Sequence, residues 1–210
     1  MNFLAHIYLS GNNERIKIGN FMGDGIRGKD YENFHLDIKI GVLLHRQIDT
    51  FTDNHEIFRK SKRRFSTKYN HFSGIITDMI YDHFLAKNWN DYSSIPLDIF
   101  SNDFYKILQN HYDELNDKTK YLLPYMTDRN WLYNYQFLEN LEIILGQMDN
   151  RFKFDSNMKE SIIELRKDYS LFEQEFTLFF NELILFSDLK RKELVNKFYV
   201  WFNFFNRVMT

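Results

Sequence analysis

The segment Leu36-Asp37-Ile38-Lys39-Ile40-Gly41-Val42-Leu43-Leu44-His45-Arg46-Gln47-Ile48-Asp49 decides the fold class of this chain. Ile38, Ile40, Val42, Leu43, Leu44 and Ile48 give it an apolar helical face, which runs directly into His45 and Asp49. Helical residues four apart lie one turn above each other, so His45 and Asp49 project together. The segment Asp78-Met79-Ile80-Tyr81-Asp82-His83 repeats the pattern, with Asp78 and Asp82 on one face and His83 about 100° round from Asp82. Imidazoles and carboxylates in segments that otherwise read as core are costly to bury unless paired. A divalent metal is the commonest such partner. His6 and Asp24 add further ionisable groups near the amino terminus.

Working outward, the remaining pattern is also helical. Asp53 followed by Glu56 reads as a capping box that opens a helix from His55 to about Tyr69. That helix is strongly basic, with Arg59, Lys60, Lys62, Arg63, Arg64 and Lys68. The periodicity predicts further helices over Phe72 to about Trp89 and at about 97–113, 120–126, 130–149, 156–186 and 189–207. In the last, Phe198, Trp201, Phe202 and Phe205 form a core-facing stripe. Only two prolines and eight glycines punctuate 210 residues, which favours long helices. The expected architecture is a single all-α domain over 1–210, with catalytic motifs within 1–89 and a helical scaffold over 97–207. The glycine-rich run Gly19 to Gly28 reads as a loop or short helix. It has neither a P-loop pattern nor the strand that a dinucleotide fingerprint needs.

Composition removes several functional classes. A formal net charge of −2 does not suit general nucleic-acid binding. The absence of cysteine excludes disulfides, thiolate zinc sites and a cysteine nucleophile, and it fits a reducing cytoplasm. No stretch of about 18 residues is free of charge, so no membrane span is expected. Neither a G-x-S-x-G elbow nor an S-x-x-K pattern is present, which points to activated water as the nucleophile. Each candidate also has a structural reading: Asp53 as an N-cap, Arg46 with Asp49 as an ion pair, His83 as a core histidine, Asp24 as a turn former. Their joint occurrence on three segments favours a metal or phosphate site.

Four motifs in order resemble the acyl carrier protein phosphodiesterase family. They are Met1-Asn2-Phe3-Leu4-Ala5-His6; Gly19-Asn20-Phe21 with Asp24 and Arg27-Gly28; His45-Arg46-x-Ile48-Asp49-x-x-Thr52-Asp53; and Asp78-x-x-x-Asp82-His83-Phe84-Leu85. Beyond Trp89 the resemblance is weaker and rests on helical character and Trp131. It implies an unusual HD-type phosphohydrolase fold and hydrolysis of the phosphodiester joining 4′-phosphopantetheine to holo acyl carrier protein. A divalent metal is required, Mn²⁺ first, with Mg²⁺ or Fe²⁺ as alternatives. The adjacent pair Asp82-His83 inverts the usual His-Asp order. On this basis His45, Asp49, Asp82 and His83 are expected as core ligands and His6 as a further ligand. Asp24 and Asp78 are ligands or orienting groups, and Arg27 and Arg46 grip the phosphate. Arg59, Lys60, Arg63 and Arg64 would dock the acidic carrier protein. The alternatives are an HD-type phosphohydrolase acting on a nucleotide or other small phosphate ester, and a non-enzymatic helical protein whose basic face binds an acidic partner.

Overall fold

A computed structural model describes the backbone at residues 1–149 and 156–208 and the side chains as far as residue 200, apart from 150–155. Its regular structure is helical, with no strand among the described residues. The order is α1 (Phe3–Leu9), α2 (Glu14–Met22), α3 (Leu36–Asn54), α4 (Glu56–Tyr69), α5 (Ser73–Lys87), α6 (Leu97–Asn110), α7 (Asp117–Asp128), α8 (Trp131–Asn134), α9 (Leu138–Asp149), α10 (Ser161–Lys167) and α11 (Tyr169–Val208), with short 3₁₀ turns between them. No described helix is long and apolar enough to cross a membrane.

The deciding segment forms the centre. In α3, Ile38, Ile40, Val42, Leu44 and Ile48 are all fully buried. The helix is opened by His35, whose ring accepts from the Asp37 amide, and Asp37 itself complements the positive helix end. α3 packs most extensively against α2, and the reason is glycine. A Cβ on Gly41 would lie 2.3 Å from the Ile16 carbonyl oxygen, and one on Gly19 would lie 2.1 Å from that of Ile38. Both residues are helical, so glycine serves here for close approach of two backbones. The first part of the glycine-rich run is therefore the last turns of α2, followed by a 3₁₀ turn at Gly23–Gly25.

Three boundaries differ from the sequence pattern. Asp53 lies within α3, and it is His55 that caps α4, its Nδ1 accepting from the Ile57 amide. The 130–149 region is two helices, α8 and α9, separated at Tyr135–Phe137. The expected break near 187 is absent; the interruption falls at Asp168, which leaves α11 continuous. α11 runs unbroken from Tyr169 to Val208, and just past the expected break Asp188 pairs with Arg191 and Lys192 at i+3 and i+4. Phe172, Phe176, Phe179, Phe180 and Leu183 of α11 are fully buried and pack against α3, α4 and α5. Phe198 packs on the core, whereas the expected partners Trp201, Phe202 and Phe205 lie outside the described side chains.

Gly41→Ala must push α2 from α3, because the obstructing atom is backbone. Overpacking of this kind costs about 1–3 kcal/mol, which at this chain length lowers Tm by roughly 3–10 °C. An unchanged melting curve would show that the two helices do not cross this closely.

Candidate metal centre

Imidazoles from two helices converge on one carboxylate. His6 from α1 and His45 from α3 stack with ring centroids 4.1 Å apart. Both Nε2 atoms face Asp49, at 3.2 Å from Oδ1 for His6 and 2.9 Å from Oδ2 for His45. His45 Nε2 also lies 3.3 Å from Asp24 Oδ1. One ligand atom from each of His6, His45 and Asp49 falls within 4.8 Å of the others, a group able to hold a metal ion.

The opposite ring edges explain this orientation. His6 Nδ1 donates to the Asn20 side-chain oxygen at 2.8 Å, and His45 Nδ1 donates to the Asn20 backbone oxygen at 2.8 Å. Asn20 is fully buried, and its amide nitrogen is committed to the His6 carbonyl and Ser10 Oγ. One residue of α2 thereby fixes both tautomers and turns both Nε2 lone pairs toward Asp49. Gly23 makes room for this, because a Cβ there would lie 2.2 Å from His45 Cγ.

Two acceptor nitrogens facing a carboxylate require a cation between them. Without metal, a proton fills part of that need. Burial works against a charged His45, but hydrogen bonds to Asp24 and Asp49 outweigh it and raise its pKa to about 9. Burial, then repulsion from His45, depress His6 to about 4. Burial alone would raise Asp49, yet His45 and His6 hold it well below the ordinary carboxylate range. His6 Nε2 is left buried with no hydrogen-bond partner. That orphaned nitrogen, with an imidazole and carboxylates beside it, fits a transition-metal or Mn²⁺-type cation.

Asp24 and Asp49 also line a cavity of about 480 Å³. Its polar side includes Asp53 and Asp78, and its apolar side Met79, Leu122, Trp131, Tyr135 and Ile144, drawn from α5 and α7–α9. A cation group at one end and an apolar wall at the other suit a ligand that is ionic at one point and extended beyond it.

The family model described as acyl carrier protein phosphodiesterase matches residues 1–183. The chain belongs to the acyl carrier protein phosphodiesterase family. It is 29% identical to the acyl carrier protein phosphodiesterase of Photorhabdus laumondii over 86% of this chain and 91% of that one. It is 28% identical to that of Shigella boydii over 88% and 96%. No solved structure matches the chain significantly.

Against the expectations raised by the family motifs, the structure brings His6, Asp24, His45 and Asp49 together. Of the α5 candidates, Asp78 lines the same cavity as Asp24 and Asp49, whereas Asp82 and His83 do not. Asp82 is fully buried and accepts from the Leu4 and Ala5 amides at 2.7 and 3.3 Å. It caps α1 from a distance, since Asn2 makes no side-chain cap. Burial raises its pKa to about 7. Asp78 accepts from the Met1 amino group at 2.8 Å, so the Asp78–Asp82 face docks the amino-terminal segment. His83 donates from Nδ1 to the Tyr135 carbonyl at 2.8 Å and accepts at Nε2 from the Tyr169 hydroxyl at 2.7 Å, a core histidine with both nitrogens committed. Arg46 donates to the Ile26 carbonyl and lies over the Tyr31 ring, and Arg27 is exposed; neither lines the cavity. Sequence reasoning missed Asn20 as an orienting group, although it stood within a quoted motif as a polar residue between Gly19 and Phe21.

Asp82→Ala leaves two buried amide donors of α1 unpaired. The expected cost is about 2–3 kcal/mol, or a Tm lowered by roughly 4–12 °C, while His83→Phe retains the metal affinity of the parent. Loss of metal binding in His83→Phe with the fold intact would return that residue to the ligand set.

Proposed function

We propose that this chain hydrolyses the phosphodiester joining 4′-phosphopantetheine to holo acyl carrier protein, releasing the apo protein, with a divalent cation held by His6, His45 and Asp49. The observation that carries this reading is the meeting of the two imidazoles on Asp49, which itself lines a cavity with an apolar wall, in a chain of this family. Bound there, the cation supplies charge neutralisation for the phosphate and acidifies water. Membership of this family makes Mn²⁺ the first choice, with Mg²⁺ or Fe²⁺ next.

The chain's own residues do the rest. Asn20 keeps both Nε2 atoms free to ligate by holding the protons on Nδ1. Asp24 is largely exposed at the cavity edge, within reach of His45, and is placed to orient the attacking water. In HD-type terms the working pair is His45 with Asp49, one turn apart on α3, rather than the adjacent Asp82 and His83. The apolar wall accepts the extended prosthetic group and excludes bulk water from its path.

The basic helix divides its work. Arg64 and Lys60 pair with Glu175 of α11, which is almost fully buried, so they tie α4 to the core. Arg59 and Arg63 are exposed and make no ion pair among the described residues. These two are the docking cations for an acidic carrier protein in the cytoplasm.

Incubation with holo carrier protein and Mn²⁺, followed by mass spectrometry, tests the activity. Loss of the phosphopantetheine mass is expected with metal and not with chelator. His45→Ala and Asp49→Asn are expected to lower turnover at least ~10²-fold with an unchanged helical spectrum. Cleavage of small phosphodiesters without cleavage of the carrier protein would favour the nucleotide-type reading.

Metal affinity should also depend on pH. A proton on His45 competes with the cation, so apparent Mn²⁺ affinity rises with pH by up to about tenfold per unit until the His45 pKa of about 9 is reached. The sign for stability is opposite: a raised histidine pKa stabilises the metal-free fold below about 6.5, and that contribution fades toward 9. An affinity that is flat from pH 6 to 9 would remove His45 from the ligand set.

Reversing Arg59 and Arg63 to Glu should raise KM for the carrier protein roughly 3–30-fold with kcat unchanged, and weaken its salt dependence. An unaltered KM would move docking to another face.

A further inference from the structure

The cavity wall contains one lysine and no arginine among the described residues, set against four carboxylates: Asp24, Asp49, Asp53 and Asp78. That lysine is Lys118, in the first turn of α7, exposed and free of any ion pair among the described residues. Its stem runs past Gly25, where an added Cβ would lie 3.5 Å from Lys118 Cδ. Gly25 follows Asp24, which touches His45, so the Lys118 stem passes one residue from a member of the cluster.

Thr52 is the second unexplained group. It is 2% exposed, its hydroxyl is buried without a hydrogen-bond partner, and it lines the same cavity. It follows Asp49 by three residues on α3, which places both on one helix face. A threonine inside a helix ordinarily satisfies its hydroxyl by donating to the preceding turn. An unpaired buried hydroxyl beside a cavity points to a ligand atom as its partner.

We infer that Lys118 and Thr52, which line the same cavity as Asp49, form the seat for the substrate phosphate in place of Arg27 and Arg46. This rests on the phosphodiesterase reading and names the residues that hold its substrate. A phosphodiester carries negative charge into a wall rich in carboxylates, so a mobile cation must offset what the metal leaves. An ammonium group on a flexible stem can follow the phosphate as geometry changes, and the threonine hydroxyl donates to a second oxygen.

The test is calorimetric titration of inorganic phosphate into the Mn²⁺-loaded protein, with holo carrier protein kinetics run in parallel. Lys118→Met should weaken phosphate binding about 10–100-fold, and Thr52→Val about 3–10-fold. Lys118→Arg and Thr52→Ser should recover most of the affinity, and Mn²⁺ affinity should be unchanged in all four. Wild-type affinity in both Lys118→Met and Thr52→Val overturns the seat, as does a parent protein that binds no phosphate. If the parent binds phosphate through these residues but leaves holo carrier protein intact, the seat stands and the substrate assignment fails.

Discussion

Everything in the site depends on two imidazoles being pinned by the same buried asparagine. Asn20 takes the Nδ1 proton of His6 on its side chain and that of His45 on its backbone, leaving two Nε2 atoms directed at Asp49. Neutral imidazole nitrogens and a carboxylate oxygen are all acceptors, so this arrangement is stable only around a cation. A proton satisfies one nitrogen, and the other stays buried 3.2 Å from Asp49 Oδ1 without a hydrogen bond. The polypeptide has built a cost that the proposed divalent ion would remove.

The fold can be understood as the means of holding that arrangement. Gly19 and Gly41 let α2 and α3 approach closely enough for the Asn20 carbonyl to reach the His45 ring, and Gly23 leaves space for the ring itself. α1, which carries His6, is only seven residues long and could not persist alone. It is held by Asp82 through its first amides and by Asp78 through the Met1 amino group, so α5 positions a site residue while its own Asp78 lines the cavity. α11 backs the assembly with a continuous aromatic face and clamps α4 through Glu175.

The helical class and the pairing of His45 with Asp49 were legible because both follow from periodicity within one segment. Asp82 and His83 show the limit of that reasoning. Spacing says that Asp78 and Asp82 share a face, but not that the face meets backbone amides instead of a metal. Likewise the basic run on α4 reads as one surface, whereas Arg64 is drawn inward, and Lys60 is engaged from the surface, by an acid more than a hundred residues away. Lys118 gave no signal and Thr52 only its place in a motif, since each is ordinary in its own helix and acquires meaning only where α3 and α7 face one cavity. An interruption of the helix near 160–186 was allowed for, but its place at Asp168 was not legible, because one residue leaves helical geometry without glycine or proline to announce it.

Anomalous diffraction from crystals grown with Mn²⁺ examines the central claim most directly, because it locates the ion without reference to turnover. The account predicts a peak between His6 Nε2, His45 Nε2 and the Asp49 carboxylate, with Asp24 beside it. A peak on Asp78, Asp82 or His83, or an absence of density at the paired imidazoles at saturating metal, would contradict it.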